Sequence, residues 1–165
     1  MLSRIAVITG SLVVQGLLAV SLSAQSPVET VHLVLTGGKN AGSFDAASAR
    51  GGCSANATGP GSFGNQLSDP KGAPDKFNSL QLVVPSAKAA AAGTKEFQVI
   101  VGFGPLMKRT AEYEVNTLAA TAKKAGSGTV TVTDKGATAK IVVDAVTKDG
   151  VKITATITCN SVTRM

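Results

Sequence analysis

Between Val151 and Cys159 apolar and polar residues alternate without a break. Val151, Ile153, Ala155, Ile157 and Cys159 fall on one side, and Lys152, Thr154, Thr156 and Thr158 on the other. A strict period of two sends successive side chains to opposite faces of a pleat, so this run specifies a half-buried strand. Two more runs precede it, Thr129–Thr133 and Thr138–Val146, set apart by Asp134-Lys135-Gly136 and Lys148-Asp149-Gly150. Glycine in those turns supplies the positive φ of a tight hairpin. The stretch from Gly128 to Cys159 therefore reads as a three-stranded meander. Its middle strand carries valines on both faces, Val142 and Val146 against Ile141 and Val143, which predicts a central strand covered on both sides. Cys159 is in phase with the apolar set, so its sulfur is expected to point inward, toward the only other cysteine, Cys53.

Upstream, the same reading gives a strand from Glu29, with Val31, Leu33 and Leu35 on one face and His32 and Val34 on the other. Gly42–Ala49 is a weaker strand around Phe44, and Cys53–Ala57 a short one. Thr58–Lys76 is rich in Gly, Pro, Asn and Asp without periodicity and reads as a long surface loop. Asn78–Val84 follows as a strand. Pro85–Gly93 holds four consecutive alanines behind a Ser86 cap, enough for one or two helical turns. Glu96–Phe103 is the heaviest core strand, with Phe97, Val99, Val101 and Phe103 in phase. Arg109–Thr117 sets Ala111, Tyr113 and Val115 against Glu112 and Glu114, and Leu118–Ser127 reads as a linker or short helical turn. About nine strands with no long amphipathic helix predict an all-β fold, an antiparallel β-sandwich with a small β-barrel as the alternative.

The N-terminus has the layout of an export signal. Arg4 gives the basic start, Ile5–Val20 the apolar stretch, and Leu22-Ser23-Ala24 a small-residue cleavage site. The chain then divides into a signal peptide over 1–24 and a single β domain over 25–165, a length that suits one core. A membrane anchor fits less well, because Thr9-Gly10-Ser11 and Gln15-Gly16 interrupt the apolar run. Leu22-Ser23-Ala24 also matches the end of a bacterial lipoprotein signal, but Gln25 stands where the lipidated cysteine belongs. The expected product is secreted or periplasmic, within the cell envelope, with no stable membrane anchor after cleavage. Two cysteines behind such a signal predict a disulfide, Cys53–Cys159, spanning 106 positions. On the chain-entropy model, closing a loop of that size contributes about 4.7 kcal/mol.

No catalytic, cofactor or metal site emerges. The formal charge is +6, but only Lys108-Arg109 and Lys123-Lys124 are adjacent basic pairs. Nucleic-acid modules concentrate charge on one face and interleave aromatics, so no nucleic-acid partner is expected. Gly59-Pro60-Gly61-Ser62-Phe63-Gly64 matches G-x-G-x-x-G, yet the motif needs a strand before it and a helix after it, and Pro60 lacks an amide donor. His32 is the sole histidine and would have to serve any Ser–His–Asp site; its phase makes it a solvent-facing strand residue instead. Glu112 and Glu114 share one side of a strand and cannot flank a glycosidic bond, so they read as a solvated face paired with lysines across the sheet. Asp134 and Asp149 are accounted for by turns. Asn56-Ala57-Thr58 is a glycosylation sequon only in a eukaryotic host. Phe97, Phe103 and Tyr113 line either a filled core, the favoured reading, or an apolar ligand cavity.

The export signal, the cysteine pairing into the last strand and the ending Val151–Cys159 resemble small exported bacterial β proteins such as the mycobacterial lipoprotein antigens. The resemblance implies a cell-envelope or secreted β-sandwich and transfers no site residues. The expectation is a non-catalytic binding or surface-interaction protein whose partner is a macromolecule or cell-surface component, with Thr58–Lys76 as first candidate for recognition. A carrier of a small apolar ligand is the alternative. An exported hydrolase, dependent on His32, comes third.

Overall fold

The computed structural model describes residues 26–69, 73–118 and 125–165. In chain order the elements are β1 (Glu29–Thr36), β2 (Gly42–Ser48), β3 (Gly52–Ala55), β4 (Phe63–Ser68), β5 (Phe77–Val84), α1 (Ala87–Ala90), β6 (Gln98–Phe103), β7 (Ala111–Asn116), β8 (Ser127–Asp134), β9 (Ala139–Val146), β10 (Lys152–Cys159) and β11 (Val162–Arg164). Two sheets form. One is ordered β2-β1-β10-β9-β8, the other β11-β3-β4-β5-β6-β7. All neighbours run antiparallel except β11 on β3. Neither sheet closes on itself, so the fold is a sandwich rather than a barrel. The proposed signal peptide and the Leu118–Ser127 linker, apart from its two ends, lie outside the described residues.

Alternation builds the core as expected. Leu33, Ile141, Val143, Ile153 and Ile157 from the five-stranded sheet are fully buried against Phe63, Leu80, Val99 and Phe103 from the other. Burying one such side chain stabilises by about 1.5–3 kcal/mol relative to leaving it exposed. The brief helix also forms where the alanines lie, with Ser86 Oγ accepting from Ala89 N at 3.2 Å.

Two expectations need correction. Thr58–Lys76 is not one loop, because it contains β4, whose Phe63, Asn65 and Leu67 are buried between β3 and β5. Asn65 occupies an apolar phase, and Gly64 stands where a Cβ would meet Leu82 O at 2.6 Å, so neither residue signals a strand by type. With β4 and the short β11, eleven strands replace about nine. The second correction concerns β9. It is central, between β8 and β10, but covered on one side only: Val142 is 38% and Val146 37% exposed. These valines are half-buried, the setting of a pleated surface that β-branched side chains fit.

Candidate functional site

The sandwich places unusual chemistry at opposite ends. At one end the Cys53–Cys159 disulfide forms, with Cα atoms 5.8 Å apart, and ties β3 of one sheet to β10 of the other. Such a bond is consistent with an oxidising, exported location. Glu29 pairs with Cys159 across β1 and β10, and Asn65 pairs with Cys53 across β3 and β4. The four side chains therefore meet between the sheets. Glu29 is fully buried. Its Oε2 accepts from Asn65 Nδ2 at 3.2 Å and lies 3.6 Å from Cys53 Sγ, while Glu29 Oε1 and Asn65 Oδ1 have no partner. Desolvation pushes the Glu29 carboxyl above its ordinary range, and the Asn65 hydrogen bond opposes this only in part. The group is thus biased toward the neutral acid. Solvent barely reaches Cys53 or Cys159, and the bond between them holds the two sheets together.

Sequence reasoning named Glu29 only as the start of an alternation. The available signal was its position two residues before Val31, in the apolar phase, which predicts an inward-pointing carboxylate.

At the other end the turns β1–β2 and β9–β10 gather around β7. Together they frame an open groove of about 660 Å³ lined by Lys39, Glu112, Tyr113, Glu114, Lys148 and Asp149, among others. Its polar groups are held in place. Tyr113 Oη donates to Asn40 Oδ1 at 2.9 Å, and its ring meets Phe103 edge-on at 6.0 Å. Lys39 Nζ donates to Thr110 O at 2.6 Å. Glu112 pairs with Arg109, and Glu114 Oε1 accepts from Gln98 Nε2 at 2.8 Å, so neither takes the lysine partner expected from sequence. Both signs of charge line one concave surface, an arrangement suited to polar recognition.

His32 faces solvent as expected. Its Nδ1 lies 2.7 Å from Asp45 Oδ1, and strand register sets Thr156 on its other side. That row repeats the residue types of a nucleophile–base–orienter set. It lies on an open sheet face, and its partners are 53% and 81% exposed. A site for acyl transfer needs amide donors aimed at an oxyanion, and the amides of β1 and β10 are committed to their ladders. An exposed pair of this kind contributes about 0–1 kcal/mol. Among the described residues no three His, Cys, Asp or Glu side chains gather as metal ligands.

Other singled-out residues serve the scaffold. Gly59–Gly64 runs through the β3–β4 turn into β4, with Gly61 N donating to Asn56 Oδ1 at 2.9 Å. Asn56, the sequon residue, also donates from Nδ2 to Met165 O at 3.2 Å. Phe97 and Phe103 are fully buried, and Phe103 joins Phe44, Phe77 and Tyr113 in an aromatic cluster that occupies space between the sheets. Among the described residues no helix is long and apolar enough to cross a membrane. Compared with known proteins, the chain matches no family model, no curated protein and no solved structure.

Proposed function

We propose that this protein is an exported, non-catalytic binding module of the cell envelope, which recognises a polar surface component through its loop end. The observation that carries the reading is the contrast in construction between the ends. One is sealed by a disulfide, while the other presents a groove of about 660 Å³ on which Lys39, Glu112, Tyr113 and Glu114 are held by bonds to strands and turns. Preorganised polar groups on a rigid sheet lose little entropy on binding, which is how loops at the end of a sandwich carry recognition.

Two measurements test this. Mass spectrometry of the natural product should find residues 1–24 removed and both sulfurs oxidised; an intact leader with free thiols would remove the exported setting. Retention of the purified protein on envelope fractions of the producing cell should fall in a Lys148→Ala/Asp149→Ala/Glu114→Ala variant. Equal retention of variant and parent would overturn the assignment to this end.

A further inference from the structure

We propose that the turn joining β6 to β7 seats the protein reversibly on an anionic lipid bilayer; the proposal rests on the reading of the chain as an exported binding module and names its partner. The turn is closed by backbone bonds from Lys108 N to Pro105 O at 2.8 Å and from Thr110 N to Phe103 O at 2.9 Å. Its central positions are therefore Leu106 and Met107. Small or polar residues usually fill such corners. Here Leu106 is 40% and Met107 92% exposed, the latter more than any other large apolar side chain among the described residues.

Basic groups surround this tip. Lys108 is exposed beside it. Lys39, also exposed, is held against the turn by its bond to Thr110 O, and Lys76 by the bond from Gly104 N to Lys76 O at 2.9 Å. Arg109 folds back onto Glu112, so those two charges cancel. Asp75 and Asp45 share a hollow with Lys76, and Asp45 is paired with His32, against three exposed lysines. Apolar side chains at an apex with lysines behind them match the interface of an anionic bilayer, with the apex among acyl chains and the cations at headgroup level. The aromatic cluster beneath and the bonds at both ends of the turn keep the tip rigid, so insertion orders little. Two side chains and three cations give weak, salt-sensitive attachment rather than anchoring.

The test uses the leader-free, oxidised protein with vesicles of phosphatidylcholine alone or mixed with phosphatidylglycerol. The chain contains no Trp, so Met107→Trp supplies a single reporter. Co-sedimentation is expected only with phosphatidylglycerol present, and is expected to weaken as salt rises. The indole emission should shift to the blue on binding. Leu106→Ser/Met107→Ser and Lys76→Ala/Lys108→Ala should each weaken binding about tenfold. Their thermal midpoints should match the parent's. Undiminished binding by the serine variant, an unshifted indole, or no binding of the parent to either vesicle would overturn the proposal. If vesicle binding fails while the groove variant still loses envelope retention, the binding-module reading stands and the lipid partner falls.

Discussion

The two ends of this sandwich treat polar groups in opposite ways. At the disulfide end Glu29 and Asn65 are shut between the sheets, and each keeps one oxygen without a partner. At the loop end Lys39, Tyr113, Glu112 and Glu114 all have partners and yet remain within reach of water. An unpaired buried polar atom costs about 1–3 kcal/mol, whereas a partnered surface group costs little. A covalent link offsets the strain of the dry end, and leaves the wet end free to be selected for contacts rather than cohesion.

Breaking the disulfide should have the largest effect. Reduction, or Cys53→Ala with Cys159→Ala, is expected to cost about 2–5 kcal/mol in denaturant unfolding. A loss below about 1 kcal/mol would show that the dry end holds without its link. Glu29→Gln sharpens the contrast through pH. Because the folded state raises this carboxyl, the native protein keeps a proton that the unfolded chain has lost. The associated stability is complete below the unfolded carboxyl range and declines as pH rises toward the folded value. The variant should flatten that decline and unfold later than the parent near neutral pH, with no gain in acid; its amide also offers Asn65 Oδ1 a donor. A parent whose stability climbs over the same interval would reverse the sign and refute the assignment. At the wet end Tyr113→Phe removes the bond to Asn40 and should cost about 0.5–1.5 kcal/mol. Smallest of all, Lys148→Ala should stay within about 0.5 kcal/mol of the parent, because it sits on an exposed turn. A larger loss there would mean the two ends are not so different.

The legible parts of the fold were those where side-chain type and position agree. Val151 to Cys159 alternates strictly, Val31 to Leu35 and Phe97 to Phe103 keep one apolar face in phase, and all three are strands or lead into them. The cysteine pairing followed from count and phase. Strand β4 was hidden because Gly64 is required by a close approach to Leu82 and Asn65 by Glu29, two tertiary demands that no local pattern encodes. Strand β11 is three residues long and exists by pairing with β3, far earlier in the chain. The groove was not legible at all, since Lys39, Tyr113 and Lys148 come together only through sheet topology. Glu29 went unread as an inward carboxylate: its phase carries that direction, but an acidic residue at a strand start looks like a boundary.

The place of β1 has a consequence for how the polypeptide reaches this state. It lies between β2 and β10, so one of its two ladders waits for residues 152–159. Pairings this distant are slow to find, because a long loop must close before any contact rewards it. Until then an apolar ribbon with a bare edge is open to neighbouring chains. Completion of the first strand's pairing is in effect deferred until almost the last strand has been made.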